Sequence, residues 1–525
     1  VVTLVWSDGV AFVQALAPDA DPRTAEGLFV LPAAGQPALE VGQHLSAQGT
    51  VAEAGDGALL TALADATIEV RGTAPLPGPE VLSAAPSDWE ALEGMRVRID
   101  AELTVIGNDA LARFGEVDLA FGGRVFSPTE QALPGEAAIA LREANTARRI
   151  VLDDASSAEN PASIGWLPQP LGGAVTLRSG STLTGLEAVV DHRFGAYRLQ
   201  ATAAPAALVA APRPAAPEIE GALRIAGMNL LNLFNGDGQG GGFPTARGAR
   251  DYDAYARQLA RHVAVITALD PAIIAAQELE NDGFGPESAA QELATALNGA
   301  QTGARWTVVA PAERPGSDAI AVGILYRADR VEAVGAPALK LGGPFARGSR
   351  PPLAQSFRAG DGPVFTVVSL HFKSKGGCDE AEGANRDQGD GQGCFNAQRL
   401  ESNRVLHDWI HADPTGAGGA DGSRHIALIG DFNAYGMEDP MRWLREQGWI
   451  DPLEGEGSYS FIFDGQSGRL DHALLSASMA ERLRGAAKWH SNADEPGSFG
   501  YDGAHGREAG PWRASDHDPL VLGFD

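Results

Sequence analysis

Lysine is almost missing from this chain. Only Lys340, Lys373, Lys375 and Lys488 occur among 40 basic residues, and the first 339 positions hold none. Against 68 acidic residues the formal net charge is −28, which argues against a protein that grips nucleic acid by bulk positive charge. It leaves room for a metal-dependent enzyme acting on phosphates, because a bound cation supplies local positive charge. No apolar run approaches the ~18 residues of a membrane-spanning helix. Cysteine is scarce too: Cys378 and Cys394 alone are present, bracketing one Asp/Glu/Gly/Asn-rich stretch. With no His or Cys pair beside them, zinc is a poor fit. Two readings remain, two free thiols or a disulfide closing the loop. The disulfide is the expectation, and it would place the protein in an oxidising compartment. No signal-peptide pattern stands ahead of Val1, so a mature or trimmed form is expected.

What is present is ample material for buried cores. The 525 residues are 44% apolar and 21% charged, a length and balance that imply about three or four domains. Residues 1–72 read as short strands with Asp/Pro/Gly turns, and 87–204 is again β-rich. A weak repeat links them: Gly42, Leu45, Val51 and Gly57 recur at one offset as Gly180, Leu183, Val189 and Gly195, with Leu59 set against Tyr197. Two small β-barrels of similar build follow as the expectation. Residues 205–218 are Pro/Ala-rich and read as a linker.

From 219 to 525 the pattern changes to apolar strands alternating with amphipathic helices. Leu259, Val263, Ile266 and Leu269 share one helical face that Pro271 ends. Strands are expected at 223–231, 272–276, 319–326, 364–371, 425–429, 470–475 and 520–524, and further helices at 287–297 and 397–410. This is an α/β domain. Chemistry-bearing residues sit at the strand ends: Asn229, Glu278, His371, Asp431 and Asn433, Asp471, then Asp516 and His517. Open sheets gather ligand groups at such ends. Glu278, Asp516 and the Asn229 amide oxygen are hard donors suited to Mg2+, Mn2+ or Ca2+. Two histidines beside carboxylates suit acid/base work on a water nucleophile. Together they describe metal-assisted phosphoester hydrolysis.

The ordered strings M-N-L-L-N-L-F (228–234), Q-E-L (277–279), S-L-H-F-K-S-K (369–375), G-D-F-N (430–433), R-L-D-H (469–472) and S-D-H (515–517) resemble the endonuclease/exonuclease/phosphatase, or DNase I-like, superfamily. S-R-P-P-L-A-Q-S-F (349–357) and D-Q-G-D-G-Q-G-C-F-N (387–396) resemble its large secreted bacterial nucleases, which carry OB-fold-like domains ahead of the catalytic domain. The resemblance implies a four-layer α/β sandwich over 219–525. It implies Glu278 as principal metal ligand with Asn229 and Asp516, and His517 as general base oriented by Asp471. Asp431 would position water or metal, and Asn433 would hold a phosphate oxygen. His371 would contact the phosphate or protonate the leaving oxygen, with Asp318 as its carboxylate partner. Arg350, Lys373 and Lys375 would contact phosphate. His472 and Asn232 read as structural.

The function expected is a secreted nuclease, extracellular or periplasmic, using Mg2+ or Mn2+, with Ca2+ as a further option. Its partner is DNA, with RNA as a second substrate; no membrane partner is expected, and no sequence feature fixes an oligomeric state. One alternative is a phosphodiesterase or phosphatase for lipid head groups or small phosphates, distinguished by cleft shape. Another is a binding or adhesion protein, which would require damaged motifs. Every candidate catalytic residue lies after Pro217, so the β-rich half is expected to be accessory. The glycine-rich run 236–242 lacks a Walker G-K-[ST] and is expected as an insertion at the active-site rim.

Overall fold

The computed structural model describes all residues except 7, 8, 20, 22, 55–59, 173, 174 and 419–423. Gly57 and Leu59 of the internal repeat lie outside the described residues. By contact the chain forms two units. One comprises Val1–Val125 and Glu143–Pro212, the other Phe126–Arg142 and Arg213–Asp525.

The first unit is β-rich, as expected. A five-stranded sheet is built from Val2–Val5, Ala11–Gln14, Gly27–Pro32, Leu60–Thr73 and Gln43–Ala54 in that spatial order. A nine-stranded sheet takes up the strands between Glu80–Leu82 and Ala207–Val209. That is more than the five strands of a lone OB-fold barrel. Ala207–Val209 pairs with Thr182–Thr184, so part of the proline-rich stretch read as a linker is an edge strand. Leucines, valines and isoleucines alternate inward along these strands, with Trp166 among them, its indole N–H donating to the Gly115 carbonyl at 2.9 Å.

The second unit is a DNase I-like sandwich. Its six-stranded sheet runs Trp306–Val308, Ile320–Arg327, Ile273–Glu280, Leu223–Leu233, Leu520–Phe524 and Leu483–Lys488. Its five-stranded sheet runs Glu332–Leu339, Arg350–Arg358, Phe365–His371, His425–Asp431 and Asp471–Leu475. The sheets meet through Ile225, Ile273, Val322, Phe357, Val367, Ile429 and Leu522. The alternate residues of the same strands, such as Ile274, Ala276, Val368 and Leu428, face outward into helices. Both faces are therefore buried, which is why these strands read as continuous apolar runs instead of alternating ones.

Helices Tyr252–Leu269 and Ala289–Ala300 cover the six-stranded sheet; Asn396–His411 and Asp439–Glu446 cover the other. Asp251 caps the first helix by accepting from the Ala254 N–H at 2.7 Å, and Ser288 caps the second through the Gln291 N–H. Among the described residues no helix is long and apolar enough to cross a membrane.

The strand Arg350–Arg358, opening on Arg-Pro-Pro, and the edge strands Glu332–Leu339 and Leu483–Lys488 were not expected from the sequence. Neither was the helix Glu136–Ala147 inside the region read as a β domain over 87–204. Within that region, Phe126–Arg142 packs with the C-terminal unit.

Candidate active site

Strand register assembles the site. His371 stands opposite Asp431 across a parallel pair, Asp431 opposite Asp471 across an antiparallel pair, and Arg350 opposite His371. Four residues far apart in sequence thus form one row across neighbouring strands. On the other sheet Asn229 stands opposite Gln277, and register breaks follow both, between Asn229 and Leu233 and between Ala276 and Leu279. Such bulges re-aim side chains at a strand end. Leu231, Asn232, Glu278 and Asn433 all have φ between 50° and 62°. Backbone held in this region by residues other than glycine is a feature of functional sites.

His517 is buried, and its Nδ1–H donates to Asp471 Oδ2 at 2.7 Å. Asp471 Oδ2 also accepts from Ser460 Oγ at 2.7 Å, so the carboxylate that fixes the ring is itself fixed. Phe461 stacks on the imidazole at 4.5 Å, and Asn492 Nδ2 donates to the His517 carbonyl at 2.7 Å. Burial opposes a charge on His517, yet Asp471, Asp516 and Asp431 outweigh it and hold the ring well above the ordinary histidine range.

His371 behaves oppositely. Burial, with Arg350, His517 and Arg247 nearby, pushes it well below that range and keeps it neutral. Its Nδ1 is buried without a partner. The carboxylate in contact with it is Asp431, with Nε2 and Oδ2 3.4 Å apart. The expectation that Asp318 plays this part is corrected: Asp318 Oδ2 accepts from Arg350 Nε at 3.1 Å. Asp431 is buried, and this raises its carboxyl to about 7; His517 opposes the rise and Asp471 adds to it. Its Oδ1 accepts the Asn433 N–H at 2.8 Å, while Asn433 Nδ2 donates to the Phe372 carbonyl at 3.1 Å. Arg350 Nη1 donates to that same carbonyl at 3.1 Å.

Burial raises Glu278 above the usual carboxylate range, and Asp516 raises it further. Glu278 accepts from Asn229 Nδ2 at 3.2 Å and from the Asn232 N–H at 3.0 Å. The Asn229 amide oxygen, expected as a metal donor, instead accepts the Leu231 N–H at 2.9 Å. Among the buried amide oxygens left without a partner, the one that also lines the cleft belongs to Asn232, which the sequence reading had set aside as structural. Glu278 and Asp516 repelling one another, with an orphaned amide oxygen beside Glu278, is a donor set that fits a hard divalent cation. Asp431, Asp471 and His517 also place three possible ligand atoms within 4.8 Å of one another. Two of these groups are already hydrogen-bonded to each other, so they read better as a base with its orienting acid.

The two lysines are turned to the protein. Lys373 Nζ donates to the Gly376 carbonyl at 2.8 Å and lies 4.0 Å from the Phe395 ring centroid. Lys375 is bonded to the Gln392 carbonyl at 2.7 Å and to Glu438 Oε1 at 2.5 Å, and burial lowers its ammonium to about 8. Lys375 nonetheless lines the cleft, where the phosphate contact was expected of it, while Lys373 does not. Arg350 and Arg247 line the cleft with His371, His517, Glu278, Asp431, Asn433 and Asn232. Arg247 was missed; it follows the glycine-rich insertion, where no motif marks it. His472 donates to main-chain carbonyls, in keeping with its structural reading, and the acid beside it is Asp451.

The cleft has a volume of about 620 Å³. Gly376, Gly391, Gln392 and Gly393 bring the Cys378–Cys394 loop to its rim, as expected. The two cysteines are joined in a disulfide with Cα atoms 5.6 Å apart, and buried Arg399 ties the loop through the Cys394 carbonyl at 2.9 Å.

Comparison with known proteins agrees with this geometry. No curated protein matches the chain. Residues 83–211 match a domain of unknown function, DUF8508, and residues 231–517 match the endonuclease/exonuclease/phosphatase family. Among solved structures, an endonuclease/exonuclease/phosphatase from Bacteroides vulgatus is 14% identical, covering 57% of this chain and 97% of that one with a TM-score of 0.36. The human Nocturnin catalytic domain with bound sulfate is 14% identical, covering 59% and 97%, also at 0.36. The Bacteroides thetaiotaomicron mannosyl-6-phosphatase Bt3783 is 16% identical, covering 58% and 100%, at 0.35. The family match spans more than half of the chain and contains the row of strand-end residues, so this protein belongs to the endonuclease/exonuclease/phosphatase family, whose members hydrolyse phosphoesters and include nucleases, phosphatases and phosphodiesterases.

Proposed function

We propose that this protein is a divalent-metal-dependent nuclease that hydrolyses phosphodiester bonds of DNA, with RNA as a second substrate. The observation that carries the reading is the His517–Asp471 pair facing Asp431, Glu278 and a neutral His371 in one cleft. Held at Glu278, Asp516 and Asn232, a hard cation, Mg2+ or Mn2+ with Ca2+ as a third option, would supply Lewis-acid stabilisation of phosphoryl charge. Asp471 holds the His517 ring through Nδ1, and Nε2 would take the proton of the attacking water once the charge of Asp516, which helps keep the ring protonated, is neutralised by the cation. Asp431 sits between the two histidines and orders that water. Neutral His371 lines the cleft beside Asp431 and would meet a phosphate oxygen there. Arg350, held by Asp318 and the Phe372 carbonyl, offers a fixed positive charge to the same group, and Asn433 completes the contact. The disulfide supports an oxidising location, extracellular or periplasmic.

Incubation with plasmid, linear and single-stranded DNA and with RNA tests this, with chelator or with Mg2+, Mn2+ or Ca2+. Cleavage that chelation abolishes and Mg2+ or Mn2+ restores is expected. Full activity in excess chelator would overturn the mechanism. A second reading is a phosphodiesterase or phosphatase for small phosphates, favoured by a cleft whose volume falls within the roughly 300–1,000 Å³ of small-molecule sites. Turnover of sugar phosphates or lipid head groups with no polynucleotide cleavage would select it.

A further inference from the structure

Residues 126–142 stand outside the span of the family match and far ahead of the catalytic fold in the chain, yet they pack with the catalytic unit. Their attachment is specific. Glu130 is 9% exposed. Its Oε1 accepts from Arg469 Nε at 2.6 Å, and its Oε2 accepts the backbone N–H of both Arg469 and Gly436 at 3.0 Å. Those two amides belong to different loops. Gly436 lies just past Asn433, and Arg469 lies two positions before Asp471, the residue that orients His517. Buried Thr129 donates to Glu438 Oε1 at 2.8 Å, the same oxygen that takes Lys375, and its carbonyl accepts the Met437 N–H at 2.8 Å. The Ser127 N–H donates to the Ser467 carbonyl at 2.8 Å, and the Gly135 N–H to that of Asp390 at 2.7 Å. The other side of the segment faces the cleft, which Pro128, Ala138, Ile139 and Arg142 line together with His371 and His517.

Resting on the phosphodiesterase reading, we propose that residues 126–142 are a working wall of this active site. In it Glu130 is a positioning residue that clamps the 433–436 loop to the 469–471 turn, and Ile139 is the apolar face that meets the group flanking the scissile phosphodiester. The clamp is physically strong because it is a buried, charge-assisted contact: removing the carboxylate leaves Arg469 to its contact with Asp451, at 2.9 Å, and two loop amides without their acceptor. The loops it joins carry the groups that must hold still. A misplacement of about 1 Å at such groups can cost on the order of a hundredfold in rate. The wall also gives the chain before residue 205 a share in the chemistry, against the expectation that it is accessory.

The test uses the full chain with Mg2+, a thymidine dinucleotide as substrate, and thermal unfolding to verify the fold of each variant. Glu130→Gln sets an amide NH2 either against Arg469 Nε or against the two backbone N–H groups, so one side loses its acceptor. It is expected to lower kcat about tenfold or more with KM little changed, and Glu130→Asp to recover part of the loss. Ile139→Ala is expected to raise KM severalfold with kcat held, and Glu332→Gln, at an exposed position on the edge strand Glu332–Leu339, to match the unaltered protein. Folded Glu130→Gln and Ile139→Ala with unaltered kcat and KM would overturn the proposal, as would a loss confined to stability. Should Glu130→Gln fail to fold, Thr129→Val, expected to lower kcat in the same direction, and Ile139→Ala carry the test, and unchanged kinetics in both overturn it. Absence of turnover by the unaltered protein on any phosphodiester would overturn the functional reading instead.

Discussion

One group of buried acids in the N-terminal unit is gathered around arginines, whereas the acids at the cleft of the catalytic unit are set against each other. In the first, Arg198 Nη1 donates to Asp153 and Glu116 at 2.8 Å each, Arg193 pairs with Asp191 at 2.7 Å, and Gln200 bridges Asp153 and Asp191. In the second, Asp471 raises Asp431 and Asp516 raises Glu278. Opposite charges in contact satisfy one another and specify a fold. Like charges in contact await something, and perturbed acids lining a cleft are the ordinary mark of a functional site. On the proposed function, the difference separates a region built for cohesion from one built to receive a cation and a phosphoester.

The sharpest test of that contrast substitutes one buried charge on each side. His517→Ala and Glu278→Ala should each lower kcat by ~10²–10⁴ with little change in stability, and should be sub-additive because the groups serve one transition state. Initial rates and thermal midpoints measure both; near-normal turnover of His517→Ala would remove it from the base role. Arg198→Ala should do the reverse. It strands Asp153, 4% exposed, and the half-buried Glu116, and should cost about 3–5 kcal/mol of stability, leaving the kcat of the folded enzyme intact. Denaturant unfolding checks it, and a large fall in kcat would break the comparison.

A smaller effect is expected at the disulfide. Replacing Cys378 and Cys394 by serine frees a loop that only the catalytic unit carries, and the chain-entropy model gives ~3 kcal/mol for its length. Unfolding of oxidised and reduced protein, with mass spectrometry for the thiols, measures it.

The smallest lies in the N-terminal unit. Burial raises the Glu93 carboxyl from its ordinary 4.5 to about 7, with the Thr61 N–H opposing and neighbouring acids adding. Between those values the folded state holds a proton that the unfolded chain has released. This group's contribution is thus full below about pH 4.5 and declines as pH rises toward about 7. Glu93→Gln should flatten that decline in a thermal-midpoint profile, and an unchanged slope would remove Glu93 from the account.

Much of the catalytic unit was determined by the sequence alone. Strands buried on both faces read as apolar runs, so 223–231, 364–371 and 520–524 fall within a few residues of the observed bounds, and the helix Tyr252–Leu269 ends where Asp270 and Pro271 end it. Polar residues at strand ends marked the site, because a motif keeps its chemistry and its spacing along one strand. Tertiary structure decided what depends on register and on distant packing. Asp431 meets His371 because two parallel strands align them, and no one-dimensional spacing records that pairing. Asn232 rather than Asn229 is left with an open oxygen because a bulge turns the strand. Lys375 is drawn inward by Glu438. The wall at 126–142 was invisible for the same reason. Glu130 and Arg469 are 339 positions apart, and a contact across that interval leaves no period or composition in the sequence, only a buried acid in a short helix until the fold closes around it.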